Sequence, residues 1–93
     1  MREIIEQILN EIPRGKLFDS HLVVNLLIKN HSDDYLNFAN SMKSSDSITL
    51  AVHGQIGKLV NTFDNDIIQR QEHESWSENI HGKPSKCTCW VKL

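Results

Sequence analysis

The side chains of this chain that are best suited to chemistry are two histidines and two cysteines near its C-terminal end, His73, His81, Cys87 and Cys89. Imidazole nitrogen and thiolate sulfur are ligands that zinc prefers in tetrahedral sites. However, one residue separates Cys87 from Cys89, whereas paired cysteines in tight zinc modules usually have two residues between them. We therefore predict no metal site and no cofactor, with zinc binding by these four residues as the alternative.

The same residues, together with Glu72 or Glu74, could supply a nucleophile, a base and an acid. The sequence contains no nucleophile elbow, no phosphate-binding glycine-rich loop and no paired-acid motif that would support catalysis. We therefore predict that the protein is not an enzyme. A disulfide between Cys87 and Cys89 would close a very small, strained ring, so we predict reduced thiols and a cytoplasmic location.

The composition predicts one small globular domain, residues 1–93. The chain is 39% hydrophobic and 24% charged, and no apolar run approaches the roughly 20 residues that are needed to cross a bilayer. We expect no association with membranes. The formal net charge of −2 argues against nucleic-acid binding by bulk electrostatics, so any DNA-binding surface must be local.

Apolar periodicity predicts four helices that would position these side chains, at about 2–12, 20–30, 32–42 and 48–63. The second helix is apolar nearly all round and should be the centre of the core, with Asp19 or Ser20 as its N-cap. Residues from about 66 to 93 predict a β-hairpin with strands near 67–71 and 86–91 and a turn at 82–85. The secondary structure of residues 76–80 is left open.

The fourth predicted helix combines a buried stripe with an outer face of small side chains. The stripe consists of Val52, Ile56, Leu59, Val60 and Phe63. The opposite face carries Ser47, Gly54, Gly57, Lys58 and Asn61. Each glycine inside an exposed helix costs about 1 kcal/mol relative to alanine, so we expect the close approach of a partner to compensate. That partner is either DNA or another protein surface.

The predicted element order is a set of helices, a further helix with small side chains on its outer face, and a C-terminal β-hairpin. In this order the chain resembles the winged-helix branch of helix-turn-helix domains. The resemblance implies a mainly α fold with a small C-terminal β-hairpin, in the α+β class. Residues 32–42 and 47–63 would form the helix-turn-helix pair, and residues 81–86 would lie at the wing. It also implies a recognition helix in the major groove of duplex DNA, as in a regulator of transcription.

Eight residues are the predicted DNA contacts under this resemblance. Gln55 can pair with adenine, Lys58 with guanine or phosphate, and Asn61 with a base edge or the backbone. The full set is Ser47, Thr49, Gly54, Gln55, Lys58, Asn61, Lys83 and Lys86. Because so few cations neutralise few phosphates, DNA binding would require a homodimer. The alternative is a winged-helix module that binds a protein partner and not DNA.

Packing is the simpler interpretation for two further side chains, and an interface is the interpretation for a third. His53 lies at the flank of the buried stripe, where a structural role is expected. Trp90 lies in a predicted strand that needs a side chain facing the core. Trp76 is flanked by Ser75 and Ser77 among acidic residues, and we predict that it is exposed at a partner interface.

Overall fold

A computed structural model describes residues 1–42, 48–79 and 82–93, with the backbone alone for 48–50. The elements, in chain order, are α1 (Arg2–Glu11), β1 (Leu17–Asp19), α2 (Ser20–Asn30), α3 (Ser32–Asn40), α4 (Ile48–Asn61), β2 (Ile68–Glu78) and β3 (Pro84–Lys92). Within these residues, four helices and a three-stranded antiparallel sheet confirm the predicted α+β class and the C-terminal hairpin. The helix bounds agree with the predicted ones to within two residues.

The helices form where their apolar stripes can be buried together. The core combines Ile5, Ile8 and Leu9 of α1, Val23, Val24 and Leu27 of α2, Val52, Ile56 and Val60 of α4, and Phe63. The third helix contributes only partly buried side chains, including Tyr35 and Phe38. At the start of α2, Asp19 is the N-cap, and its Oδ1 accepts a hydrogen bond of 3.0 Å from the Leu22 amide. The sequence left this cap open between Asp19 and Ser20.

The sheet has the strand order β1-β3-β2, so β3 is its central strand. The first strand is only three residues long and was not predicted, because a segment that short carries no periodic signal. It forms by pairing with the far end of the chain, Phe18 lying opposite Trp90. The last residue of β1 pairs with Cys89 of β3. Toward the turn of the hairpin, β3 therefore pairs with β2 and not with β1.

The second strand is one continuous element, whereas the sequence indicated a short strand at 67–71 and an open state at 76–80. Its pairing with β3 shifts register between Arg70 and Glu74, where three residues of β2 face a single residue of β3. Such a bulge bends the strand and interrupts the alternation of polar and apolar side chains. The interruption explains why the pattern broke there.

Trp90 joins the sheet to the helices. Its side chain is 1% exposed, and its ring stacks on Phe18 with the centroids 5.8 Å apart. Its indole nitrogen donates a hydrogen bond of 3.4 Å to the Asn61 side-chain oxygen on α4. The predicted packing role of Trp90 is confirmed. None of the described helices is both long enough and apolar enough to span a bilayer.

Candidate functional site

A surface groove lies between α4 and the β2–β3 hairpin. The residues of α4 that line it include Gly54, Gly57, Lys58 and Asn61, and the hairpin contributes Arg70, Glu74, Lys86, Cys87, Thr88 and Trp90. Three of these side chains, Lys58, Arg70 and Lys86, are cationic, and Glu74 is acidic. The groove therefore carries a local excess of positive charge in a chain whose net charge is −2.

The glycines of α4 open directly onto space. A Cβ atom placed on Gly54 or on Gly57 would meet nothing within 4 Å outside the helix itself and the adjacent residues. Close packing against another part of the described chain therefore does not require glycine at either position. The cost of two glycines in a helix interior has no compensation from contacts within these residues.

Four of the eight predicted contact residues come together in this groove, namely Gly54, Lys58, Asn61 and Lys86. Gln55 is exposed on α4 but does not line the groove. Lys83 is exposed in the turn of the hairpin. Ser47 and the side chain of Thr49 lie outside the residues that the structure describes, as do residue 80 and the first residue of the predicted wing, residue 81.

The turn of the hairpin is built by local hydrogen bonds. The Lys83 amide donates to the side-chain oxygen of Asn79 at 3.2 Å, and the Gly82 amide donates to the Asn79 carbonyl at 2.9 Å. Gly82 has φ of 74°, in the left-handed region that glycine adopts without strain. Pro84 follows and begins β3. These contacts hold Lys83 at the tip of the hairpin.

Arg70 is the groove cation that was not predicted from the sequence. It lies directly opposite Trp90 in the hairpin, just before the bulge in β2. The Arg70 amide also donates to the Asp64 carboxylate at 2.7 Å, which anchors the start of β2 to the turn after α4. No motif marks this arginine, since only the pairing register brings it beside α4.

Asn61 serves the core as well as the groove. Its side-chain oxygen accepts the hydrogen bond from Trp90, which fixes the orientation of the amide group. The side-chain nitrogen of Asn61 is then the atom that can donate to a ligand. A direct comparison of Asn61 variants would therefore report on stability and binding together.

Trp76 is 66% exposed on the distal part of the hairpin, as predicted from its polar neighbours. It lies directly opposite Lys86, whose ammonium nitrogen is 5.9 Å from the centre of the indole ring. This separation is within the range of a cation–π interaction. The pair presents one flat aromatic surface and one cation next to the groove.

His53 links α4 to α3. Its Nε2 atom and the Tyr35 hydroxyl form a hydrogen bond of 3.1 Å, which agrees with the structural role expected from the sequence. Burial raises the pKa of Tyr35, so the hydroxyl stays protonated in neutral solution. The bond ties α3 to the helix that carries the glycine face.

A second polar cluster joins the start of α2 to the hairpin. One carboxylate oxygen of Asp19, one ring nitrogen of His21 and the sulfur of Cys87 all lie within 4.8 Å of one another. His21 also contacts the hydroxyls of Ser77 and Ser85. Asp19 and His21 were not predicted as partners of Cys87, because more than sixty residues separate them from it along the chain.

The four zinc ligands considered from the sequence, His73, His81, Cys87 and Cys89, do not form such a cluster among the described residues. The Cys89 thiol donates to the main-chain carbonyl of His73 at 3.2 Å, and the residue His73 is exposed. His81 lies outside the described part of the chain. Cys87 and Cys89 are both free thiols.

The electrostatics of the cluster depend on hydrogen bonding around Asp19. Burial raises the pKa of Asp19, but hydrogen bonds from Ser77, the Leu22 amide and Ser75, with a contribution from His21, offset this and hold the pKa below its ordinary value. Burial, followed by the charges of Asp19 and Cys87, raises the pKa of Cys89. The carboxylate is therefore favoured as an anion, and the Cys89 thiol is favoured in its neutral form.

Comparison of the chain with protein-family models, with curated proteins and with solved structures finds no match.

Proposed function

We propose that the chain is a winged-helix domain that binds duplex DNA through α4 and the β2–β3 hairpin. The observation that carries the proposal is the groove in which Lys58 of α4, Arg70 of β2 and Lys86 of β3 line one surface beside the bare glycine face. Phosphate contacts from lysine and arginine supply most of the affinity of proteins for DNA. These cations come from separate elements, and folding brings them together.

The dimensions of α4 suit the major groove. Its 14 residues give a helix about 21 Å long at about 1.5 Å per residue. A helix with average side chains is about 10–12 Å across, close to the roughly 12 Å width of the major groove. The absence of side chains at Gly54 and Gly57 lets the helix backbone approach a partner more closely, and Gln55 and Lys58 are exposed on the same helix.

The distal hairpin supplies the second contact in this proposal. Lys83 at the tip and Lys86 on β3 are exposed and can reach phosphate oxygens, while Trp76 can pack on a sugar or a base. Phosphate contacts fix orientation and carry no sequence information, so any sequence preference would come from Gln55, Lys58 and Asn61. The proposed role is that of a regulator of transcription.

Charge limits what one copy can achieve. The groove cations are opposed by Glu74, and β2 also carries Glu72 and Glu78. Because affinity grows with the number of phosphates neutralised, we propose that the DNA-binding form is a homodimer. Free thiols at Cys87 and Cys89 fit a reducing compartment, so we place this function in the cytoplasm.

The test is binding to random duplex DNA by fluorescence anisotropy over a range of salt concentrations. The variant replaces Lys58, Arg70 and Lys86 with alanine. If all three contact phosphate, the slope of log K against log salt should become shallower by about 2.7, at about 0.9 per contact. A control that replaces Arg14, Lys16 and Lys29, which are exposed cations outside the groove, changes the net charge equally and should retain the slope.

Comparison of the two triple variants distinguishes contacts made by the groove cations from an effect of net charge. Equal losses in both triple variants would mean that net charge, and not the groove, governs binding, and would contradict the proposal. Absence of any binding at about 50 mM salt would contradict it as well. Sedimentation of the protein with and without duplex DNA tests the homodimer.

A protein partner is the second candidate function, and exposed Trp76 is the observation that favours it. Tryptophan is enriched among the residues that dominate protein–protein binding energy, and the acidic side chains of β2 do not hinder such a partner. Under this function Trp76→Ala would abolish binding to a protein partner, whereas the charge variant would have little effect. Failure to bind DNA at low salt would favour this second function.

A further inference from the structure

Three donor atoms of different chemistry converge where the start of α2 meets the hairpin. The Cys87 sulfur lies 3.6 Å from the Nδ1 atom of His21, and an Asp19 carboxylate oxygen lies within 4.8 Å of the Cys87 sulfur and of a His21 ring nitrogen. Sulfur and nitrogen ligands bound to one tetrahedral zinc ion, at about 2.3 and 2.0–2.1 Å from the metal, are about 3.6 Å apart. The present separation of the two atoms therefore matches shared coordination without movement of the main chain.

We propose that Asp19, His21 and Cys87 bind one Zn²⁺ ion, with water in the fourth position. Sulfur, imidazole nitrogen and carboxylate oxygen are all zinc ligands, whereas Mg²⁺ and Ca²⁺ favour oxygen alone. As the zinc–sulfur bond forms, the Cys87 thiol releases its proton to solvent. The site goes beyond DNA binding, because none of the groove cations takes part in it.

The surrounding hydrogen bonds orient these ligands as partners do in known zinc sites. The Nε2 atom of His21 lies 3.2 Å from the Ser85 hydroxyl, which can accept its proton and leave Nδ1 to bind the metal. Asp19 is fixed through both carboxylate oxygens, since Oδ1 accepts from the Leu22 amide and Oδ2 from the Ser75 hydroxyl, each at 3.0 Å. A carboxylate offers about four lone pairs, so these two bonds and the one from Ser77 leave one for a metal.

The Ser77 hydroxyl lies among the three ligands. Its oxygen is 2.5 Å from Nδ1 of His21 and 3.9 Å from the Cys87 sulfur, and it also hydrogen-bonds to Asp19. A serine side chain has a single heavy-atom rotation, so one change of χ1 moves the oxygen aside for the ion. The zinc ion would then occupy the position among the three ligands that the Ser77 hydroxyl occupies without it.

Cobalt and zinc titrations of the full chain test the proposal. Co²⁺ at one equivalent should give a thiolate-to-cobalt charge-transfer band together with the intense visible bands of tetrahedral cobalt, and one equivalent of Zn²⁺ should abolish both. Cys87→Ser and His21→Gln should weaken zinc binding at least about 100-fold in competition with a chromophoric chelator, since each removes a direct ligand. Cys89→Ser and His73→Gln are the matched controls and should bind like the wild type.

A variant that retains the fold is needed to distinguish loss of a zinc ligand from loss of folding. Asparagine is as good an N-cap as aspartate, so Asp19→Asn should keep α2 and still weaken zinc binding at least about tenfold. Circular dichroism of each variant confirms that it is folded. Absence of the thiolate–cobalt band in the folded wild type, or its loss in Cys89→Ser but not in Cys87→Ser, would overturn the proposed site.

Discussion

Replacing both glycines of α4 with alanine should stabilise the protein and, under the proposed function, weaken binding to duplex DNA. Neither new Cβ atom has a neighbour within 4 Å beyond the helix and the adjacent residues, so no steric cost opposes the change. Alanine is favoured over glycine in a helix interior by about 0.8–1.0 kcal/mol per site. The two replacements, Gly54→Ala and Gly57→Ala, should therefore add about 2 kcal/mol to the free energy of unfolding.

Thermal and urea denaturation followed by circular dichroism measure this gain. For a domain of this size, each kcal/mol shifts the midpoint by about 4–8 °C, so the double variant should melt about 8–16 °C higher. Ala51→Gly in the same helix is the reverse control, with an expected loss of about 1 kcal/mol. Anisotropy titrations with random duplex DNA then measure binding, which should weaken because two methyl groups now occupy the face of closest approach.

Two results would contradict the expected effect of the alanine replacements in different ways. A lower melting temperature would mean that the glycines satisfy a requirement within the chain. A higher melting temperature with unchanged DNA affinity would mean that DNA does not approach this face. The alanine variants therefore test the role of the glycines separately from the role of the cations.

Three other perturbations have outcomes fixed by the described contacts. Trp90→Ala removes the stacking on Phe18 and should lower the free energy of unfolding by about 3–5 kcal/mol in urea titrations, so a loss near zero would contradict its central position. The pKa of Asp19 is lower in the folded chain than its ordinary 3.8, so acid should destabilise the protein progressively from about pH 5 downward as this carboxylate gains its proton. Asp19→Asn should lessen that acid dependence, and an identical dependence in the variant would exclude the mechanism. Because burial raises the pKa of Cys89, iodoacetamide should modify Cys89 more slowly at about pH 8 than in the unfolded chain, as mass spectrometry of timed samples can establish.

Local periodicity was enough to predict the helices, and long-range pairing was not predictable from it. The predicted stripe marked the inner side of α4, because a 3.6-residue repeat is a local property. Val52, Ile56, Val60 and Phe63 are buried, and Leu59 is partly buried against the core. By contrast, β1 exists only through pairing with a strand some seventy residues away. The bulge in β2 likewise depends on its partner strand and so broke the pattern of alternation.

In the candidate sites too, residues close in sequence could be grouped in advance, whereas residues from distant segments could not. Gly54, Lys58 and Asn61 could be grouped from the sequence, because they share one face of one helix. Arg70 joins them only through the register of the hairpin, and His21 meets Cys87 only through the packing of α2 near β3. Proximity of side chains across distant segments requires the fold, since residue type alone does not encode it.

The acidic residues of β2 have a consequence for the behaviour of the protein at high concentration. Because β3 is the central strand, β2 has one neighbouring strand in the described sheet. Asp64 and Asn65 bond to the start of its other edge, and the rest of that edge is available for pairing with an extended segment. Eleven residues would be a long template for pairing between copies, but Glu72, Glu74 and Glu78 repel another β2 strand, and the bulge distorts the edge. The same carboxylates that oppose phosphate contacts in the proposed function thus also disfavour pairing between the β2 strands of two copies.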